Sequence, residues 1–143
     1  MKTYYSNSVE ETESLGRAIA EKLFPGAFIA LFGDLGAGKT AFCRGVGEAL
    51  GVHDVMSPTF TIVQVYEEGR LPFYHFDVYR IGDVSEMDEI GYEDMFFGEG
   101  LCLVEWANLI EEILPDTYKR VTIEKDLSKG FDYRRITLEL IEG

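Results

Sequence analysis

Two hydrophobic patterns alternate along the first part of the chain. Leu15, Ile19 and Leu23 recur at helical spacing, which predicts an amphipathic helix. The apolar run 27–32 is continuous, as in a short strand that is buried on both faces. A second helix is predicted from about Lys39 to Leu50. This order, helix, strand and helix, is typical of an α/β protein.

The second part of the chain has the composition of strands separated by short turns and one helical segment. The hairpin spacing of 60–66 and 71–77 predicts an antiparallel pair, and one or two short helices are expected within 85–97. A short apolar strand is predicted at Leu101–Val104. The alternation of Val121 and Ile123, and of Ile136, Leu138 and Leu140, predicts two closing strands around Ser128-Lys129-Gly130.

Together these elements predict an α/β fold of the P-loop NTPase type, with a mixed β-sheet and flanking helices in a single domain, 1–143. The sheet is expected to be parallel near its centre and antiparallel at an edge. Ser8 with Glu11, and Ser85 with Asp88, resemble capping boxes that begin the first helix and the later helical segment.

The glycine-rich turn between the first strand and the second helix is the strongest chemical signal. Gly33-Asp34-Leu35-Gly36-Ala37-Gly38-Lys39-Thr40 matches the whole G-x-x-x-x-G-K-[ST] pattern in the strand-to-helix context that phosphate binding requires. Gly33, Gly36 and Gly38 allow successive N–H groups to point at phosphate oxygens. Lys39 is expected to reach the β- and γ-phosphates, and the Thr40 hydroxyl is expected to bind Mg²⁺.

An enzyme of this kind needs a second, acidic group near the metal ion, and two residues compete for that role. Glu105 ends the apolar run Leu101–Val104, although aspartate is more usual at such a position. Asp77 ends a predicted strand within His75-Phe76-Asp77-Val78-Tyr79-Arg80. The residues alone leave open which carboxylate binds the metal ion, and a surface charge is the alternative for each.

Four further features have both a functional and a structural interpretation. A hydroxyl within 57–61 could sense the γ-phosphate, or the segment could be an ordinary turn. Arg80 could stabilise transition-state charge or form a structural ion pair. His75 could contact phosphate or position Asp77, but a structural histidine is the preferred interpretation. Trp106 is expected to serve packing.

The formal net charge of −13 disfavours direct nucleic-acid binding, because such a surface repels the phosphate backbone. The two cysteines, Cys43 and Cys102, lack the spacing of a zinc or redox motif and are expected to be buried thiols. The N-terminus lacks the apolar segment of a secretion signal, and no apolar run reaches membrane-spanning length. A cytoplasmic location is therefore expected.

Five motifs in fixed order give the sequence a resemblance to the TsaE (YjeE/YdiB) family. They are GDLGAGKT, SPTFTIVQVYE, HFDVYR, the segment Glu89–Asp94 and Leu103-Val104-Glu105-Trp106. The resemblance implies a bacterial ATPase that uses ATP and Mg²⁺ in forming N6-threonylcarbamoyladenosine at position 37 of tRNAs that read ANN codons. It also implies that TsaC makes threonylcarbamoyl-adenylate, that a TsaB–TsaD pair transfers the group to tRNA, and that the chain docks on that pair.

The resemblance also implies roles for individual residues. Leu35, Gly36, Ala37, Gly38, Lys39 and Thr40 would bind phosphates, and Thr40 and Glu105 would bind Mg²⁺. Asp77 is a further catalytic or metal-site candidate beside Lys39 and Glu105. The family resemblance places adenine between the N-terminal segment and the last strands, which brings Val9 and Gly130 close to the base.

Two other functions remain open at this stage. A small-molecule kinase would need an arginine-bearing lid, yet Lys and Arg are absent from 81–118. A non-catalytic nucleotide-sensing adaptor would not need both Asp77 and Glu105. The same stretch 81–118 carries eleven acids, which suggests docking on a basic surface of TsaB–TsaD, whereas a solvated acidic face is the simpler alternative.

Overall fold

The protein folds around one mixed sheet, seen in a computed structural model that describes residues 1–33, 38–56 and 62–142. The strands are β1 (Lys2–Ser6), β2 (Phe28–Gly33), β3 (Val63–Tyr66), β4 (Phe73–Asp77), β5 (Leu101–Glu105), β6 (Thr117–Lys125) and β7 (Arg134–Glu142). Their order across the sheet is β1-β7-β6-β2-β5-β4-β3. The helices are α1 (Val9–Glu21), α2 (Lys39–Leu50), α3 (Ser85–Glu89) and α4 (Tyr92–Phe96), and short 3₁₀ segments span Ala107–Ile113 and Leu127–Lys129.

The four central strands run parallel, and the outer pairs are antiparallel. β2 lies between β5 and β6 and is parallel to both, and β4 is parallel to β5. The pairs β1–β7, β6–β7 and β3–β4 are antiparallel. The predicted mixed α/β sheet with flanking helices is therefore confirmed, but antiparallel pairs occupy both edges rather than one.

Each face of the sheet carries its own apolar core. On one face, α1 and α2 pack on side chains that include Ile29, Leu31 and Leu103. On the other face, α3, α4 and the 3₁₀ segment Ala107–Ile113 cover Ala30 and Val104 among others. Because β2 and β5 are buried on both faces, their sequences read as continuous apolar runs.

Close contact between α1 and α2 fixes the position of α2 over the sheet. Two glycines, Gly16 and Gly45, lie at the crossing of the helices. A methyl group at Gly45 would overlap the backbone of Glu13, and one at Gly16 would overlap the backbone of Phe42. The small residues therefore let α2 lie against α1, with its N-terminal end at the carboxyl edge of the parallel strands.

Three local features differ from the sequence patterns. Strand β1 was not anticipated, because its five residues form an edge strand that is held by pairing with β7. The capping prediction at Ser8 is confirmed, since its side chain accepts a hydrogen bond from the N–H of Glu11. The prediction at Ser85 is wrong: Ser85 lies inside α3, and the Glu86 carboxylate accepts the N–H groups of Gly82 and Asp83 instead.

Candidate functional site

The N-terminal end of α2 carries the predicted phosphate-binding residues that the structure describes. Gly38 precedes the helix with φ +96°, a conformation that favours glycine, and Lys39 and Thr40 form the first turn. Lys39 is only 7% exposed, whereas Thr40 is exposed. Gly33 ends β2. Leu35, Gly36 and Ala37 lie outside the described residues, as do the hydroxyls predicted within 57–61.

Glu105 lies at the end of β5 and is 4% exposed. One of its oxygens, Oε2, lies 2.8 Å from Nε2 of His75, which is completely buried on the neighbouring strand β4. The histidine therefore contacts Glu105 rather than Asp77, the carboxylate considered from the sequence. Its other nitrogen, Nδ1, has no hydrogen-bond partner in the described part of the chain, so His75 is only half satisfied as a structural residue.

Asp77 is the neighbour of Glu105 across the parallel pair of β4 and β5. It is partly exposed, and its Oδ1 accepts a hydrogen bond from the N–H of Tyr79 at 3.0 Å. Burial is the main cause that raises the pKa of Asp77, and the nearby charge of Glu105 raises it further. The Tyr79 N–H, Lys39 and His75 oppose that rise. The two candidate acids are therefore adjacent, and their charges repel each other.

Cys43 brings a third element into this group from one helical turn beyond Lys39. Single ligand atoms of Cys43, His75 and Glu105 all lie within 4.8 Å of one another, and the three residues are buried. Burial, followed by the charge of Glu105, raises the pKa of the Cys43 thiol well above its ordinary value. The thiol is therefore neutral, and Cys43 is a buried, free cysteine as expected from the sequence.

Trp106 contacts the predicted phosphate-binding lysine. Nζ of Lys39 lies 4.3 Å from the centroid of the indole, and the Tyr79 ring lies 4.7 Å from it on another side. Trp106 also has φ +63°, an uncommon value for a residue other than glycine, and it begins the turn into the 3₁₀ segment. Packing was the expected role of Trp106, and its ring also contacts Lys39.

A cleft of about 350 Å³ opens beside these residues, at the carboxyl ends of β2 and β6. Its lining includes Gly33, Trp106, Asn108, Thr122 and Glu124. In the sheet, β5 lies on one side of β2, and the next strand in sequence, β6, lies on the other side. The strand order therefore reverses at β2. Open α/β sheets bind ligands at such reversals, beyond the carboxyl ends of the strands.

The residues predicted to lie near a base are on two segments that meet beside Gly38. Val9 begins α1, and Gly130 lies in the connection between β6 and β7; both are exposed. A methyl group at Gly38 would lie 3.6 Å from Nε of Arg134 and 3.8 Å from Cγ2 of Thr12. The N-terminal segment and the last strand therefore both reach the phosphate-binding end of α2.

Arg134 is the functional candidate that sequence reasoning missed. Its Nη1 donates to the carbonyl oxygens of Phe131 and Tyr133, at 2.9 and 2.7 Å, which holds the guanidinium near Gly38. No local motif marks this arginine. The pairing of β7 with its two neighbours brings it to the site: Ser6 of β1 lies opposite Arg134 on one side and Lys125 of β6 on the other. Arg80, the arginine considered from the sequence, is exposed.

Comparison with known proteins identifies the family. The family described as Threonylcarbamoyl adenosine biosynthesis protein TsaE matches residues 6–136. A tRNA threonylcarbamoyladenosine biosynthesis protein TsaE from Bacillus subtilis strain 168 is 46% identical over 133 residues, which are 92% of this chain and 81% of the relative. The chain belongs to the TsaE family.

Other relatives agree with this assignment. A TsaE protein from Treponema pallidum strain Nichols is 38% identical over 112 residues, 78% of this chain and 82% of that protein. The crystal structure of Bacillus subtilis YdiB superimposes with a TM-score of 0.83 at 39% identity, covering 99% of this chain and 86% of that chain. The expected resemblance to TsaE and YdiB is thus confirmed, and the matched family is described as one of threonylcarbamoyladenosine biosynthesis.

The basic, acidic and aromatic groups of the sequence motifs lie together at one edge of the sheet. No helix in 1–33, 38–56 or 62–142 is long and apolar enough to cross a membrane.

Proposed function

We propose that this chain is a Mg²⁺-dependent ATPase of tRNA threonylcarbamoyladenosine formation that acts with a TsaB–TsaD complex. The observation that carries the proposal is the convergence of Lys39, Glu105 and Asp77 at the carboxyl edge of the parallel strands. Lys39 begins the helix that follows the glycine-rich turn, and the two acids end adjacent strands beneath it. A cation and two carboxylates beside a phosphate-binding turn are the groups that phosphoryl transfer to water requires.

The side chains at this edge suit Mg²⁺. The carboxylates of Glu105 and Asp77 and the hydroxyl of Thr40 are hard oxygen donors, which Mg²⁺ prefers. Thr40 and Glu105 are the proposed ligands, and Asp77 is the second acid of the site. When bound, Mg²⁺ would neutralise negative charge on the β- and γ-phosphates and thereby favour attack by water.

The remaining roles belong to the chain itself. The backbone N–H groups of 33–40 and the positive end of α2 would hold the phosphates, and Lys39 would move from the face of Trp106 to the β- and γ-oxygens. Asp77 has a raised pKa and lies half-buried, so it is placed to orient the attacking water. Val9 and Gly130 would flank the adenine, beside Arg134.

The acidic stretch 81–118 supports docking on a basic partner. Nine of its eleven acids are exposed. The two exceptions have internal contacts: the Glu86 carboxylate accepts the N–H groups of Gly82 and Asp83, and Glu105 is buried. The exposed acids are Asp83, Asp88, Glu89, Glu93, Asp94, Glu99, Glu111, Glu112 and Asp116. Because the described structure leaves these charges in solvent, they are available for a basic surface of TsaB–TsaD.

Reconstituted tRNA modification tests the proposal. TsaB, TsaC and TsaD are combined with threonine, bicarbonate, ATP and an unmodified tRNA that reads ANN codons, with and without this chain. The proposal predicts that multiple-turnover yield depends on the chain and that ATP hydrolysis by the chain rises when TsaB–TsaD is present. Equal yields in both reactions would contradict it, and transfer of the γ-phosphate to a metabolite would favour the kinase alternative.

Charge reversal tests the docking surface. Asp88→Lys with Glu89→Lys should weaken binding to TsaB–TsaD, and salt should weaken binding of the wild type, since exposed charges are screened over about 8–10 Å at physiological ionic strength. Glu67→Lys with Glu68→Lys is the matched control, because these acids are exposed in the distant β3–β4 turn. Equal affinity of all three proteins at low and high salt would rule out electrostatic docking by this surface.

A further inference from the structure

We infer that His75 is a positioning residue for Glu105, holding one oxygen of this carboxylate so that the side chain presents a fixed face to the metal ion. The inference deepens the proposed function and rests on it, because it takes Glu105 as a metal ligand. It assigns a role to a buried polar side chain that the proposed chemistry otherwise does not use.

The first argument is the geometry of the pair. Nε2 of His75 and Oε2 of Glu105 are 2.8 Å apart on adjacent parallel strands, and both side chains are buried. An ionised carboxylate can only accept hydrogen bonds, so Nε2 must carry the proton and donate it. A hydrogen bond to a charged acceptor inside a protein is short and strong, and it restricts rotation of the carboxylate.

The second argument is the state of the other ring nitrogen. Nδ1 of His75 is buried and has no hydrogen-bond partner in the described structure. A buried polar atom without a hydrogen bond destabilises the folded protein. A leucine or methionine of similar volume would leave no unsatisfied nitrogen, yet the chain has histidine at this position. The functional atom of the imidazole is therefore Nε2, which contacts the Glu105 carboxylate.

The third argument is the rigidity of the surroundings. The imidazole lies nearly parallel to the Phe73 ring, with an interplanar angle of 3° and centroids 6.0 Å apart, and it is completely buried, with a ligand atom of Cys43 within 4.8 Å. Since the ring cannot swing away, it fixes Oε2 of Glu105. The other carboxylate oxygen of Glu105, Oε1, takes no part in the contact with His75 and is the one inferred to face the metal ion. Residues that orient metal ligands in this way contribute about 10–100-fold to metal affinity or activity.

The experiment compares His75→Gln with His75→Met in the full chain. Glutamine places an amide N–H near the position of Nε2, whereas methionine has similar length and no donor. Binding of Mn²⁺ in place of Mg²⁺ is measured by electron paramagnetic resonance, with a non-hydrolysable ATP analogue present. We expect His75→Met to weaken Mn²⁺ binding by about 10-fold or more and His75→Gln by about 3-fold or less.

A double-mutant cycle with Glu105→Gln shows whether His75 acts through Glu105. In the Glu105→Gln background, His75→Met should change Mn²⁺ affinity by less than about 2-fold, because the carboxylate that His75 positions is gone. Melting temperatures without metal ion identify variants that fail to fold. An equal loss for glutamine and methionine, or an undiminished loss in the Glu105→Gln background, would overturn the positioning role.

The same measurements separate this inference from the proposed function. If Glu105→Gln alone binds Mn²⁺ as tightly as the wild type, the metal-site assignment of Glu105 fails. If Glu105→Gln loses affinity but His75→Met does not, the metal site stands and only the role of His75 is overturned.

Discussion

The ends of β4 and β5 each carry one acid, yet the two acids have different surroundings. Glu105 on β5 is buried and accepts a hydrogen bond from a buried imidazole. Asp77 on β4 is partly exposed, accepts a hydrogen bond from the backbone N–H of Tyr79, and has a raised pKa. Adjacent carboxylates in different environments take different roles. The difference suggests a fixed metal ligand at Glu105 and a more adaptable polar group at Asp77.

The largest effect is expected from Glu105→Gln. The change keeps the size of the side chain and its hydrogen bond from His75 but removes the charge, so hydrolysis of ATP in the presence of TsaB–TsaD should fall by about 10²-fold or more. The Mg²⁺ concentration needed for half-maximal rate should rise. Glu67→Gln is the control, because Glu67 is exposed in the turn between β3 and β4, outside the acidic stretch 81–118. A variant with the wild-type rate and Mg²⁺ dependence would exclude Glu105 from the site.

Asp77→Asn should reduce hydrolysis by about 10–10²-fold without a comparable change in Mg²⁺ requirement. Asparagine can still accept the Tyr79 N–H, so the fold and ATP binding should be retained. Whichever of the two substitutions, Asp77→Asn or Glu105→Gln, raises the Mg²⁺ requirement more identifies the closer metal ligand. A larger shift for Asp77→Asn than for Glu105→Gln would reverse the assignment of roles drawn from the surroundings of the two acids.

A smaller effect is expected on the stability of the nucleotide-free protein. Because folding raises the pKa of Asp77, the native state retains its proton more strongly than the unfolded state, and the free energy of unfolding decreases as pH rises through the native pKa. Asp77→Asn should therefore melt higher than the wild type at pH 7, by about 1–3 °C. The gain should disappear below the ordinary pKa of aspartate, where both side chains are neutral.

Thermal melts at a series of pH values, without nucleotide or divalent ions, provide that measurement. Glu67→Gln again serves as the control. A gain for Asp77→Asn that persists at acid pH would show that its cause is not the charge of Asp77.

The smallest signal is expected from the fluorescence of Trp106. A cation over an aromatic face contributes about 0.5–2 kcal/mol, so Lys39 can leave the indole when phosphate oxygens become available. Emission from this single tryptophan should therefore change during titration with ADP or an ATP analogue, and the change should be absent in Lys39→Ala. An unchanged spectrum in the wild type, with binding established by calorimetry, would mean that Lys39 stays on the indole.

Local signals were sufficient to predict much of the fold. The run before the glycine-rich turn became β2, the helix after it became α2, and the hairpin spacing became β3 and β4. Strand β1 escaped prediction because its stability depends on β7, more than 120 residues later in the chain. Edge strands held by distant partners carry little local information.

The candidate site likewise contains residues that local patterns predict and contacts that only the fold creates. The glycine-rich turn, Asp77 and Glu105 could be predicted because each follows a recognisable strand or lies in a motif. The contacts of His75 with Glu105, of Lys39 with Trp106 and of Arg134 with the region of Gly38 depend on strand register and helix packing. Residues separated by 30 to almost 100 positions meet only after folding, so their pairing could not be read from spacing.

The central claim is that this edge of the sheet binds ATP with Mg²⁺ through Lys39. Isothermal titration calorimetry of ATP with the wild type and with Lys39→Ala, each with and without Mg²⁺, tests it most directly. The account predicts measurable, Mg²⁺-enhanced binding to the wild type and a sharp loss in Lys39→Ala, because the substitution removes the lysine that the motif supplies to the phosphates. Equal ATP affinity of the two proteins would contradict it.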